Sequence, residues 1–130
     1  QAPSAGRSLN FGWNIMEGFL CFNPPSGCNT AGLTLPILDY THQDGACSII
    51  GGYVYRGTKN SAVTGTYFYG DHCAGFVRSF KLQNGTLGTQ NTWPLLSPPA
   101  GQQITSFGED AQGELYLVTQ PGGLFHIVAN

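Results

Sequence analysis

The sequence predicts an all-β fold made of β-propeller blades, about two four-stranded antiparallel blades in a chain of 130 residues. Three observations predict it. Gly and Pro sum to 19 + 8 = 27 residues with no triplet period, so turns are dense and a collagen-like chain is excluded. Strand-like apolar runs recur with turn residues between them, and helix signals are nearly absent. Finally, the second half echoes the first. SIIGGYVYRG, GTYFYGD and GFVRSFKL are answered by ITSFGEDAQ, GELYLVT and GGLFHIV, in the same order. A four-stranded meander recurring about every 50 residues is the pattern of a propeller blade. An immunoglobulin-type sandwich fits the Cys and Trp spacings poorly.

Each element has its own warrant. Residues 15–20 carry the single candidate helical turn, and 36–40 (PILDY) read as a short strand. Residues 47–55 (CSIIGGYVY) form a near-continuous apolar run, expected as a strand buried on both faces. Strands are expected at 65–69, 76–82 and 92–96, with Asn84-Gly85 as a tight turn. Strands at 104–107, 114–119 and 124–128 follow, joined by turns at 110–113 and 120–123. The expected organisation is one partial-propeller domain over 1–130. Residues 1–46 hold an N-terminal disulfide loop and an outer strand, 47–97 a complete blade, and 98–130 a three-stranded incomplete blade.

Composition narrows the function classes. Only 9% of residues are charged, against about 25% in an average domain, and the formal net charge is -2. No basic footprint for nucleic acid or an anionic membrane surface exists. A hydrophobic fraction of 41% with 12% aromatic residues argues against disorder. No apolar run approaches the roughly 20 residues that span a bilayer. The opening QAPSAGRS lacks the apolar core of a signal peptide, and a start at Gln suggests a processed or trimmed chain.

The four cysteines, Cys21, Cys28, Cys47 and Cys73, allow three pairings. Cys21–Cys28 would close a Pro-Pro-Ser-Gly turn, and Cys47–Cys73 would staple two strands, so these are the expected disulfides. No CxxC pair supports a zinc site. Disulfides imply an oxidising compartment, secreted or periplasmic. One glycosylation sequon, Asn84-Gly85-Thr86, sits on a turn.

NFGWNIMEGFLCFN, PILDYTHQDGACSIIGGYVYRG, GTYFYGDHCAGFVRSFKL and ITSFGEDAQGELYLVT, in this order, resemble one family. It is the PQQ-dependent soluble aldose (glucose/sorbosone) dehydrogenases, with their non-enzymatic relative, the Hedgehog-interacting-protein propeller. The likeness runs from about Asn10 to Val128 and corresponds to the C-terminal part of a six-bladed propeller. It implies a fragment of a longer propeller, or a homotrimer closing a six-bladed ring. In such a trimer, strand 36–40 of one copy would lie beside 124–128 of the next.

The resemblance also implies chemistry: hydride transfer from a sugar to PQQ, a His base, cationic side chains on the PQQ carboxylates, and calcium. The family's base lies in an earlier blade and transfers to no histidine here. His42 is the weak catalytic candidate, because it precedes an inner strand. His72 reads as a loop residue and His126 as surface. The family's PQQ-binding Lys aligns with Cys73, and its two Arg with Gln103 and Thr105, so the basic clamp is missing. No cofactor is therefore expected from the residues themselves, and PQQ and calcium are implied by the resemblance alone. Glu109, Asp110 and Glu114 lack an EF-hand ladder and read as a turn, with Asp110 accepting backbone hydrogen bonds. Asp71 likewise reads as a turn capper. Arg56 and Arg78 read as solvent-facing strand residues. Phe11, Trp13, Phe19 and Phe22 read as local core, with a sugar-stacking platform as the sharper alternative. The expected function is a propeller module, catalytically incomplete alone. The alternatives are a carbohydrate- or protein-binding propeller, or sugar oxidation by a completed ring.

Overall fold

The computed structural model describes residues 8–128; most of the opening QAPSAGRS falls outside them. The chain divides into two compact units, Gln1–Thr41 and His42–Asn130.

In the first unit, β1 (Met16–Glu17) and β2 (Leu20–Cys21) form an antiparallel hairpin with Met16 opposite Cys21. The helical turn expected at 15–20 is absent, and the cause is Gly18. Its φ of 59° begins a two-residue turn, and left-handed backbone of this kind cannot continue an α-helix. The Phe19 amide donates to Asp39 Oδ2 at 2.9 Å. The Cys21–Cys28 disulfide closes the loop that follows. Residues 36–40 join no ladder among the described residues, contrary to the expected outer strand. Pro36 has no N–H to give a ladder, and Asp39 is engaged with the hairpin turn.

The second unit holds two antiparallel sheets. The first has the order β3 (Ile49–Ile50), β4 (Tyr67–Asp71), β5 (Val77–Gln83), β6 (Thr86–Thr92). The second has the order β7 (Gln103–Glu109), β8 (Leu115–Gln120), β9 (Gly123–His126). A four-stranded antiparallel meander followed, among the described residues, by a three-stranded one agrees with the all-β class expected from the sequence.

Two strands differ from the sequence reading. The run 47–55 is not one continuous ladder. Ile50 pairs with Gly70, but Val54 bridges Tyr67, so one extra residue bulges out of the inner strand. Gly51-Gly52 makes the bulge. A Cβ on Gly52 would strike the Phe68 carbonyl and sit 3.2 Å from the Phe107 ring, so only glycine allows the second sheet this close. Ile49, moreover, is exposed rather than buried. The strand expected at 92–96 begins earlier, because Asn84 (φ 52°) and Gly85 (φ 82°) form a two-residue turn that sends the chain straight into β6. Residues Pro94–Leu96 are a 3-10 turn.

The core lies between the sheets. Phe68 and Val77 of the first meet Ile104, Phe107, Leu115 and Leu117 of the second, all buried. Apolar burial of this kind stabilises by about 25 cal/mol per Å².

Candidate functional site

The inner corner of the second unit is built around Asp71, the last residue of β4. Its side chain is fully buried. Oδ2 accepts from the Cys47 and Ser48 amides at 3.1 and 3.0 Å, and Oδ1 accepts from the Cys73 and Ala74 amides at 2.9 and 2.7 Å. A buried carboxylate is tolerable only when hydrogen-bonded in this way. The Cys47–Cys73 disulfide ties the same two segments covalently. Beside it, His72 Nδ1 lies 2.8 Å from the Ile104 carbonyl. A carbonyl can only accept, so Nδ1 carries the proton and links the corner to β7. Asp71 is thus the capping residue that the sequence suggests, with a far larger set of partners than one turn. His72 is a tie between sheets rather than a plain loop residue.

Cys73, Gln103 and Thr105, where the resemblance puts the PQQ clamp, are none of them cationic. Cys73 is in the disulfide. Gln103 Oε1 accepts from Gln120 Nε2 at 3.3 Å, and Thr105 Oγ1 donates to the Val118 carbonyl at 3.2 Å. The cations of this unit serve elsewhere, and the charge of Lys59 acts on the Asp110 and Glu114 carboxylates. Arg56 lies 3.8 Å from Glu109, Arg78 lies 3.8 Å above the Phe76 ring, and Lys81 donates to the Thr64 carbonyl. These residues do not fit a tricarboxylate cofactor. His42 is exposed at the start of the 3-10 turn Gln43–Gly45, with no side-chain cap bond.

At the far end of β7, the loop before β8 joins the sheets again. Asp110 Oδ1 accepts the Gln112 and Glu114 amides, both at 2.9 Å, and Tyr116 donates to Oδ2 at 3.1 Å. These bonds, the Glu114 amide foremost, hold the Asp110 carboxyl below its ordinary value. This is the turn expected from the sequence. Glu114 itself is 1% exposed and is a tie the sequence reading missed. It accepts from the Tyr55 hydroxyl at 2.8 Å and from the Thr58 and Lys59 amides at 3.1 Å each. Burial pushes its carboxyl up, but the Tyr55, Lys59 and Thr58 hydrogen bonds outweigh it and the net shift is downward. Burial, then the bond to Glu114, pushes the Tyr55 hydroxyl above its usual range. Among the described residues, no cluster of His, Cys, Asp and Glu gathers as a metal site.

His126, read from sequence as surface, is half-buried. Its ring stacks on Tyr116 at 4.8 Å, and Nε2, buried without a hydrogen bond, lies 4.0 Å from Glu114 Oε2. It borders an apolar groove of about 620 Å³ lined by Phe68, Trp93, Leu96, Leu117, Phe125 and Ile127. No sequence signal marks this groove, which arises from residues brought together only by the packing of the two sheets.

In the first unit, the aromatic cluster is not a local core. Trp13 is 71% exposed, and its ring lies 4.9 Å from that of the exposed Phe22. Phe11 and Phe19 are exposed too. A hairpin of two-residue strands has too little interior to cover them.

Sheets of this topology and order make the chain a β-propeller module. Its sequence is similar to the HIPL2 protein of Arabidopsis thaliana, 32% identical over 148 residues, covering 92% of this chain and 21% of the relative. The HIPL1 protein of the same plant is 29% identical over 147 residues, with the same coverage. Two solved glucose dehydrogenases share the fold. One has a TM-score of 0.68 at 19% identity, covering 94% of this chain and 36% of that one; the other has 0.59 at 20%, covering 78% and 29%. No protein-family model matches the chain. These likenesses support the family placement drawn from the motifs. The chain spans about a fifth of the length of the curated relatives it matches.

The pH dependence of stability tests the Glu114 tie. Glu114 and Asp110 both titrate lower in the folded state than in an unfolded chain. Their stabilisation is therefore present above the ordinary carboxylate range, about pH 4, and is lost as pH falls through the folded values. Denaturant midpoints are expected to be level from neutral pH to about 5 and to drop below about 4. Glu114→Gln is expected to lower the neutral-pH midpoint and flatten the acid drop. An unchanged acid limb in that variant would count against the tie.

Proposed function

We propose that this chain is part of a glucose-dehydrogenase-like propeller that carries no PQQ-dependent sugar oxidation by itself. The lack of a cation at three positions supports this reading above all: Cys73 is in a disulfide, and Gln103 and Thr105 stand where the resemblance puts two arginines. Charge-assisted hydrogen bonds give such clamps their strength, and none is on offer here. His42 faces solvent, and among the described residues its side chain caps no backbone amide, so nothing orients it as a general base. A completed ring that oxidises sugars with PQQ and calcium would have to draw its cations from other blades. The two disulfides suit an oxidising compartment, so the protein is read as secreted or periplasmic.

A second reading is a carbohydrate-binding propeller without redox activity. The exposed Trp13–Phe22 pair favours it, because aromatic faces stack on the apolar faces of sugars. One titration series separates the two. Adding PQQ and calcium is expected to give no glucose-dependent dye reduction above buffer; saturable reduction would sink the first reading. Neutral oligosaccharides are expected to quench tryptophan fluorescence in the parent chain and not in Trp13→Ala. Equal quenching in both would remove the second reading.

The partner is read as more propeller. Among the described residues β9 pairs with β8 alone, so its outer edge takes a fourth strand, from a longer chain or from residues 36–40 of a second copy in a trimeric ring. Light scattering is expected to show the ring as three times 13.9 kDa. A folded species at 13.9 kDa and micromolar concentration would rule the trimer out.

A further inference from the structure

We infer that Asn84 is an attachment site for an N-linked glycan. Of all the Asn residues in the chain, only Asn84 stands two positions before a Ser or Thr, with Gly85 rather than Pro between. The fold puts this sequon at the tip of the β5–β6 hairpin, which joins the last two strands of the four-stranded sheet. Asn84, Gly85 and Thr86 are all exposed. Among the described residues nothing hydrogen-bonds the Asn84 side chain. Open space surrounds the tip: a Cβ on Gly85 would meet no atom within 4 Å. The Thr86 hydroxyl donates to the Gln83 carbonyl at 2.8 Å, across the turn and away from the Asn84 amide.

The transfer balances with a polyprenyl-diphosphate-linked oligosaccharide as donor. Asn84 Nδ2 forms a bond to the anomeric carbon and gives up one proton. The bond from that carbon to the diphosphate oxygen breaks, and polyprenyl diphosphate leaves. No electron changes hands. The two disulfides suit the compartment in which this reaction occurs. The curated relatives come from a plant, whose secretory pathway supplies the donor.

The full chain, fused to a cleavable signal peptide and secreted from eukaryotic cells, tests the inference. Intact mass is expected to show one glycan on most molecules. Peptide N-glycosidase should remove it from the native protein and convert the Asn84 amide to a carboxylate in the mapped peptide. Asn84→Asp keeps the turn chemistry, since Asp-Gly suits the same turn, and is expected to lose the whole mass shift. Thr86→Ser should retain the glycan, and Thr86→Val should lose it. Translation of the same chain into microsomes reads the same gel shift if a variant is not secreted. A parent chain at its bare polypeptide mass in both systems, or a mass shift that survives Asn84→Asp, would overturn the assignment.

Discussion

A buried carboxylate on β4 organises the inner corner of this protein. Asp71 sits where two separate segments, 47–48 and 73–74, must both end without strand partners for their amides. Its two oxygens take four of those amides at once. The adjacent disulfide holds the same segments, so the carboxylate sets the geometry and the covalent bond limits how far it can open. His72 then carries the constraint across the seam to the Ile104 carbonyl. The first strand of the second sheet is thereby positioned from the last residue of the central strand of the first.

The seam is fixed again at the other end of β7. Glu114 reaches back to Tyr55 and to the amides of Thr58 and Lys59, while the Gly113 backbone lies against that of Arg56 and Gly57 too closely for any side chain. Polar ties at both ends leave the middle to Phe68, Phe107 and Leu117. The corner is taken up by the Cys47–Cys73 disulfide and by backbone amides whose hydrogen bonds Asp71 already satisfies. What remains open lies toward the outside: the groove beside Trp93 and the edge of β9.

Turn chemistry made much of this legible in the sequence. Asn84-Gly85 fixes a hairpin whatever surrounds it, and Asp110 bonds its own loop, so both features follow from residues within a few positions. Both disulfides were readable because each bridges segments that local turns already bring close. The misreadings share a different cause. Glu114 reads as part of a turn and His126 as surface until the two sheets close on them. The run 47–55 reads as one strand because its apolar pattern hides the bulge that Phe107, some 50 positions away, imposes at Gly52. Trp13 and Phe22 read as core because aromatic residues usually are, yet their unit is too small to bury them.

Native-state hydrogen exchange on Asp71→Ala tests the central role of this carboxylate most directly. In the parent protein the amides of Cys47, Ser48, Cys73 and Ala74 are expected to be protected although they belong to no ladder. The variant should lose protection at all four together, by about 1–3 kcal/mol each, while β5 and β6 keep theirs. Rapid exchange of those four amides in the parent protein, or protection that survives the substitution, would contradict the account.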